Sequence, residues 1–380
     1  MRISKKAHTQ DANGSSQLKR RQFLQGAAAS CVLLSAFPAN AISSALQPII
    51  AKKKVVWIFL RGALDSLHTV IPVGDPNLPA FRADIVDPIK EKLHPLDNHF
   101  ALHPNLTFLK SLYAKKQMSP VIAVASGYRE RSHFEAQDQM ESGLNETNHE
   151  SGWMARALKQ IHGKGIAISR SLPIAMRDRD INFDEAQNTA SAQTWYPSRF
   201  PEASEDLLSR LQSIYKNDSA LNSNLDMLIA QKQTPGMQMQ EKQRSNFAYL
   251  ANKCGELLAQ NKATQCAMLE FGGWDTHNNQ QGRLARLFTE LDTGIENLQT
   301  SLGTQWDDTL VVVSTEFGRT VALNGTKGTD HGTASNMFVL GGALSQFTRS
   351  GAYDLSGGKV LGDWPGLEKR QLFQERDLMP

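Results

Sequence analysis

The amino-acid sequence predicts an α/β fold built on an open, mostly parallel sheet, and three observations lead there. Val55-Val-Trp-Ile-Phe-Leu60, Cys266-Ala-Met-Leu-Glu-Phe271 and Thr309-Leu-Val-Val-Val-Ser314 are near-continuous apolar runs. Strands covered on both faces need such runs. Between the last two, Leu284, Leu287, Phe288, Leu291, Ile295, Leu298 and Leu302 recur at three- and four-residue steps. That spacing sets one buried stripe on a helix over 281–302. Third, acids and histidines follow the strand-like runs, at the ends where open α/β sheets place their ligands.

The chain has 380 residues, 40% hydrophobic and 21% charged. This is globular composition, neither disordered nor membrane-like. The length suits one large α/β domain or two ordinary ones.

The first 41 residues read as an address. A polar stretch precedes Lys19-Arg20-Arg21-Gln22-Phe23-Leu24, a weakly apolar run to Phe37, and Pro38-Ala39-Asn40-Ala41. Paired arginines, a modest apolar segment and a small-x-small end make a twin-arginine export signal, cleaved near Ala41. The expected partner is the twin-arginine translocase and the expected location periplasmic or secreted. The apolar run is too short for a stable membrane anchor. Arg2, Lys5, Lys6, Lys19, Arg20 and Arg21 against Asp11 give this leader a charge of +5, leaving −2 for the rest of a +3 chain. No basic face for nucleic acid follows. Cys31 leaves with the leader, and Cys254 and Cys266 are expected as two buried thiols rather than a bridge.

The first strand, 55–60, leads to Asp65, which is either an acid facing a ligand or the cap of the next segment. Residues 74–105 form a long excursion whose His94, His99 and His103 lack ligand-like spacing. A second strand, Pro120–Ala125, runs into Ser126-Gly-Tyr-Arg-Glu-Arg131-Ser132-His133. A helix opening near Ser132 would hold that hydroxyl where an anionic nucleophile is stabilised. Locally the stronger reading is an ordinary N-cap, with Glu135 completing a capping box. Short strands are expected at Ile166–Ser169 and Leu172–Met176. Residues 190–260 read as a largely helical insertion or lobe.

Phe271-Gly-Gly-Trp-Asp275-Thr-His277 follows the third strand. A carboxylate and an imidazole two residues apart beside a glycine pair form half of a divalent metal site. Asp275 or Thr276 capping the 281–302 helix is an equal alternative. The fourth strand ends in Thr315-Glu316-Phe317-Gly318-Arg319, and a glycine-punctuated loop carrying Asp330-His331-Gly332 leads to a strand at Met337–Leu340. Asp65, Ser132/His133, Asp275/His277, Glu316 and Asp330/His331 thus gather at strand ends. Buried charges of one sign repel unless a cation neutralises them. Carboxylates, imidazoles and one hydroxyl together describe a metal-assisted hydrolase site.

Arg61-Gly-Ala-Leu-Asp-Ser-Leu-His68, Tyr128-Arg-Glu-Arg-Ser-His-Phe-Glu-Ala-Gln-Asp138, Gly273-Trp-Asp-Thr-His277, Thr315-Glu-Phe-Gly-Arg-Thr320, Gly328-Thr-Asp-His-Gly-Thr333 and Gly362-Asp-Trp-Pro-Gly366 occur in order along the chain. Together they resemble the domain-of-unknown-function 1501 family, exported bacterial proteins related to the alkaline phosphatase and sulfatase superfamily. The resemblance implies a doubly wound α/β sheet with helices on both faces, a single domain over 52–380, and a two-metal site. It implies metal ligation by Asp65, Asp275, His277, Glu316 and His331, with Ser132 as nucleophile and Arg319 or Arg131 clamping ester oxygens. Phe317 stands where the superfamily has a second-metal histidine, so that metal is absent or completed by His133 or Asp330. The nucleophile loop has no cysteine, which excludes formylglycine chemistry. The sequence ends at Pro380, where relatives continue through a further element, and a shortened C-terminus is expected.

The function these implications describe is hydrolysis of a phosphate or sulfate ester, on a small molecule or a polymer. Its cofactor would be a divalent ion: zinc, manganese, magnesium or calcium. The rival reading is a catalytically inactive member of the fold serving as a periplasmic binding or assembly factor. Phe317 and the short C-terminus favour it; Asp275-Thr-His277 and Asp330-His331-Gly332 favour the enzyme.

Overall fold

A computed structural model describes residues 53–145, 149–178, 192–197, 246–346 and 357–380, with isolated positions between 210 and 225. The leader expected at 1–41 lies outside the described residues. So does most of the insertion expected at 190–260.

The strands pair into a seven-stranded sheet of order β5-β10-β9-β1-β8-β6-β7. They are β1 (Lys54–Arg61), β5 (Met118–Val124), β6 (Lys164–Ile168), β7 (Ala192–Thr194), β8 (Thr264–Gly272), β9 (Thr309–Thr315) and β10 (Ser335–Leu340). β1 lies at the centre, parallel to β8 on one side and β9 on the other. β10 runs antiparallel to both β9 and β5. β5 is therefore parallel to β9, and β10 begins at the edge where the other strands end.

Alternation along β1 explains its unbroken apolar character. Val56, Ile58 and Leu60 enter one core together with Leu112, Leu258 and Leu291. Those three belong to helices α3 (Thr107–Ala114), α6 (Phe247–Gln260) and α7 (Gln280–Leu302). Trp57 and Phe59 point the other way and pack with Met154 and Leu158, on helix α5 (Trp153–Ile161). Helices cover both faces, as a doubly wound sheet requires. The stripe from Leu284 to Leu302 on α7 is buried throughout, as its periodicity predicts.

Two expectations need correcting, and a third gains detail. Leu172–Met176 is no strand: Pro173 opens a short 3-10 turn over Ile174–Met176. The excursion at 74–105 holds helix α2 (Leu78–Val86) and two strands, β3 (His94–Pro95) and β4 (Ala101–Leu102). These join β2 (Val70–Ile71) in a small antiparallel sheet of order β2-β4-β3. Residues 247–260, expected in the insertion, form core helix α6.

Cys254 belongs to the first core and Cys266 to the second, so the sheet separates them. Both are free thiols. Burial pushes Cys254 far above its ordinary value and Cys266 up to about 11. No helix among the described residues is long and apolar enough to cross a membrane.

Candidate metal centre

The site is assembled at the carboxyl edge of the sheet. The loop leaving β5 ends at His133, the first residue of helix α4 (His133–Ser142). The loop leaving β8 turns through Gly273, at φ 100°, and delivers Asp275 and His277. Glu316 follows β9 directly, and His331 lies just ahead of β10. The loop after β1 packs against this group. At Gly62, φ is 118° and an added Cβ would lie 2.5 Å from the Asp275 backbone nitrogen, so only glycine fits there.

The imidazoles meet through their Nε2 atoms. His133 Nε2 lies 3.0 Å from His331 Nε2, and His277 Nε2 lies 3.1 Å from it. The Asp275 carboxylate stands beside all three: 2.9 Å from His277 Nε2, 3.3 Å from His331 Nε2 and 3.6 Å from His133 Nε2. Ligand atoms of His133, Asp275 and His331 all lie within 4.8 Å of one another. A tetrahedral ion with bonds of 2.0–2.1 Å separates its ligand atoms by about 3.3 Å. The observed spacings, 2.9–3.6 Å, bracket that value.

Each Nδ1 has its own acceptor. His133 Nδ1 faces Glu316 Oε1 at 2.8 Å, His277 Nδ1 faces Asp330 Oδ1 at 3.2 Å, and His331 Nδ1 faces the Arg131 carbonyl oxygen at 3.0 Å. A carbonyl only accepts, so His331 Nδ1 carries a hydrogen, and Nε2 is the nitrogen that faces the cluster. Glu316 and Asp330 likewise accept at Nδ1 of His133 and His277, so Nε2 is the cluster-facing nitrogen of each ring. Metal-ligating histidines are held in this way, by an acceptor on the far nitrogen. The donor set of imidazoles and one carboxylate fits a borderline divalent ion.

Without a metal, a proton on His133 takes part in the cluster. Burial opposes ionisation of Asp275, but hydrogen bonds from His133, His331 and Arg319 hold its carboxyl far below the usual range. Burial also opposes the His133 imidazolium, yet Asp275 and Glu316 raise its pKa to about 9. Glu316 is lowered against its own burial by His133, Gln137 and Thr315. Asp330 is lowered chiefly by the Asn324 amide.

Asp275 is no helix cap: α7 starts at Gln280, behind Asn279. The expectation that Asp65 contacts a cation fails. It is fully buried, caps α1 (Ser66–Thr69) by accepting from His68 N, and accepts from Arg82 Nη1 at 2.9 Å and Gln280 Nε2 at 2.7 Å. Glu316, implied as a metal ligand by the resemblance, is turned to protein donors. Its oxygens accept from Gly62 N, Gln137 Nε2, Thr315 Oγ1 and His133 Nδ1. Asp330 acts on His277 and does not replace a lost ligand.

Neither arginine faces outward as an ester clamp. Arg319 is buried, with Nη1 2.5 Å from Asp275 Oδ1, Nε on Thr329 Oγ1 and Nη2 on the Thr329 carbonyl. Arg131 turns away to Gln374 and Asp377, with 2.8 Å to each. Ser132 occupies the N-cap position of α4, but its hydroxyl makes no capping bond. Glu135 does not complete a capping box; its carboxylate accepts from Tyr128 Oη at 2.6 Å. No hydrogen bond among the described residues joins Ser132 to Asp65 or Glu316. Phe317 stacks on the His133 ring, with centroids 4.8 Å apart, and fills the side of the cluster next to Glu316.

Sequence reasoning passed over Arg82, Gln137, Gln280 and Asp377. These are lone polar residues in helices or near the chain end, and only their tertiary partners reveal them.

Fold and site define an α/β protein with a His-Asp-His cluster at the carboxyl edge of its sheet. The chain belongs to the family described as protein of unknown function (DUF1501), whose pattern matches residues 110–378. No curated protein matches the chain. Among solved structures it is similar to the C-terminal periplasmic domain of EcEptC from Escherichia coli in complex with zinc. That likeness has 10% identity over 81% of this chain and 79% of that one, with a TM-score of 0.38. The phosphonate monoester hydrolase of Agrobacterium radiobacter is similar at 13% identity, over 76% and 68%, with a TM-score of 0.38. A TAB5 alkaline phosphatase mutant with bound magnesium shows 13% identity over 76% and 90%, with a TM-score of 0.36.

Proposed function

We propose that this chain is an exported, metal-dependent hydrolase of phosphate or sulfate esters with one divalent ion at its centre. One observation underlies the reading: three imidazoles, each with an acceptor at Nδ1, gather their Nε2 atoms beside an ionised carboxylate. His133, Asp275 and His331 would hold the ion, with His277 as the fourth donor. A bound divalent ion supplies Lewis-acid chemistry, polarising an ester oxygen and acidifying water. Phe317 occupies the neighbouring space with an apolar ring, and Glu316 is saturated by protein donors, so a second ion has no ligands to meet it there.

Ser132 is the candidate nucleophile. It stands one residue from His133, with a hydroxyl free of capping duty, ahead of first-turn N–H groups that have no carbonyl within the helix. The positive end of α4 favours negative charge on the attacking oxygen. Export by the twin-arginine translocase follows from Arg20-Arg21 and the apolar run behind them, with residues 52–380 as one mature domain.

Metal analysis of the purified mature protein tests the centre, and turnover of phosphate and sulfate esters after loading with zinc, manganese, magnesium or calcium tests the chemistry. About one ion per chain and Ser132-dependent turnover are expected. The second reading, an inactive binding or assembly factor, draws on Arg131 and Arg319 being spent on protein carboxylates. A bound ion without turnover of any ester would favour it.

A further inference from the structure

We infer that Asp377 is a positioning residue for His331, acting through the main-chain carbonyl of Arg131. The inference rests on the reading that the His-Asp cluster holds a divalent ion. His331 Nδ1 is the one imidazole nitrogen of the cluster held by backbone, the Arg131 carbonyl at 3.0 Å, and not by a carboxylate. That carbonyl can point at the ring only while Arg131 keeps its left-handed conformation, at φ 59°. Residues other than glycine seldom adopt such a backbone, so something must hold it.

Asp377 is placed to do so. Its carboxylate is buried, and Oδ2 accepts from Arg131 Nη2 at 2.8 Å and from Thr333 Oγ1 at 2.9 Å. Thr333 lies two residues beyond His331, so one carboxylate oxygen ties the Arg131 loop to the loop that carries the ligand. Asp377 itself is seated by backbone pairing: Val321 N donates to Arg376 O at 3.0 Å, and Asp377 N donates to Phe373 O at 3.0 Å. Its neighbour Arg376 reaches from the same segment to the His331 carbonyl at 2.7 Å. The segment 373–378 thus clasps His331 at its carbonyl, at its downstream neighbour and, through Arg131, at its Nδ1. With Arg376 Nε on its other oxygen at 3.0 Å, the buried carboxylate has three convergent donors, and outer partners of this kind set ligand orientation.

The test compares Asp377→Asn with Asp75→Asn. Asp75 anchors the same C-terminal region by accepting from Trp364 Nε1 and Leu367 N, but reaches none of the cluster residues. Zinc affinity would be measured by competition with a chromophoric chelator, together with the visible spectrum of the cobalt-loaded proteins and the melting temperature without metal. Asp377→Asn should weaken zinc binding about tenfold or more and shift the cobalt spectrum. Asp75→Asn should lower the melting temperature and leave affinity and spectrum unchanged. Equal affinities and spectra for wild type and Asp377→Asn would overturn the inference, as would an equal loss in both variants. If Asp377→Asn does not fold, Thr333→Val and Arg131→Lys, which remove or shorten one donor each, carry the same test. Wild-type protein that binds neither zinc nor cobalt would instead overturn the metal reading itself.

Discussion

His133 Nε2 and His331 Nε2 face each other at 3.0 Å, with ring planes 72° apart. Two neutral imidazoles whose Nδ1 atoms both donate elsewhere cannot hydrogen-bond across that gap. A proton or a metal ion must sit between them. Without metal, the proton goes to His133, whose pKa is raised to about 9.

That competition gives a pH signature. A folded-state pKa above the unfolded value of about 6.5 adds stability that is complete below that value. The contribution disappears as pH climbs through about 9. The metal-free protein should therefore lose about 2 kcal/mol from this group between pH 6.5 and 9.5, discounted for the partly exposed ring. The loaded protein should show the opposite preference, since metal ligands bind deprotonated. Urea unfolding of the metal-free protein at three pH values checks the sign; stability that stays flat or rises across the window contradicts it.

Asp65 tests ligand against brace. It pairs with Arg82, and neither side chain is more than 1% exposed. Asp65→Ala strands the Arg82 charge and should cost on the order of 3–5 kcal/mol. Metal occupancy of protein that still folds should persist. A metal-free but fully stable variant would restore Asp65 as a ligand.

Glu316 acts on the centre through His133. Glu316→Gln keeps the shape but can turn an amide N–H toward His133 Nδ1, allowing the other tautomer. Metal affinity should fall about 10–100-fold. Chelator competition reads this directly, and unchanged affinity would show that the Glu316–His133 bond does not set the tautomer.

Export is tested by Arg20→Lys with Arg21→Lys, which should abolish appearance in the periplasm. The double variant reaching the periplasm at wild-type levels would remove the twin-arginine reading.

Much of this was legible in the sequence because the strands are buried on both faces. Val55–Leu60 and Leu310–Val313 could not be apolar at every step on a half-exposed sheet, so these runs mark the scaffold. The residues of the centre sit within short distances of strand ends, which made Asp275, His277 and His331 visible as candidates. What stayed hidden was the division of labour. Asp65 and Asp275 look alike as acids past parallel strands, and only Arg82, arriving from α2, makes the first a structural anion. Arg319 reads as a free cation until Asp275 and Thr329 are seen to consume it. Such pairings join positions far apart in the chain and leave no local spacing to read.

Ser132 separates the enzyme from the inactive binder. In an ordinary N-cap, replacing serine by alanine costs about 1 kcal/mol because a side-chain hydrogen bond is lost. Here no such bond exists, and Glu135 is engaged with Tyr128. Ser132→Ala should therefore leave stability within about 0.5 kcal/mol of wild type. It should also leave metal content unchanged, since His133, Asp275 and His331 remain in place. If the hydroxyl attacks the ester, turnover should fall by at least 100-fold, because the attacking oxygen is removed. Steady-state rates on a phosphomonoester, a phosphodiester and a sulfate ester, measured beside metal content and a melting curve, resolve the matter. Undiminished turnover would shift attack to water, and loss of stability without loss of rate would return Ser132 to a structural role.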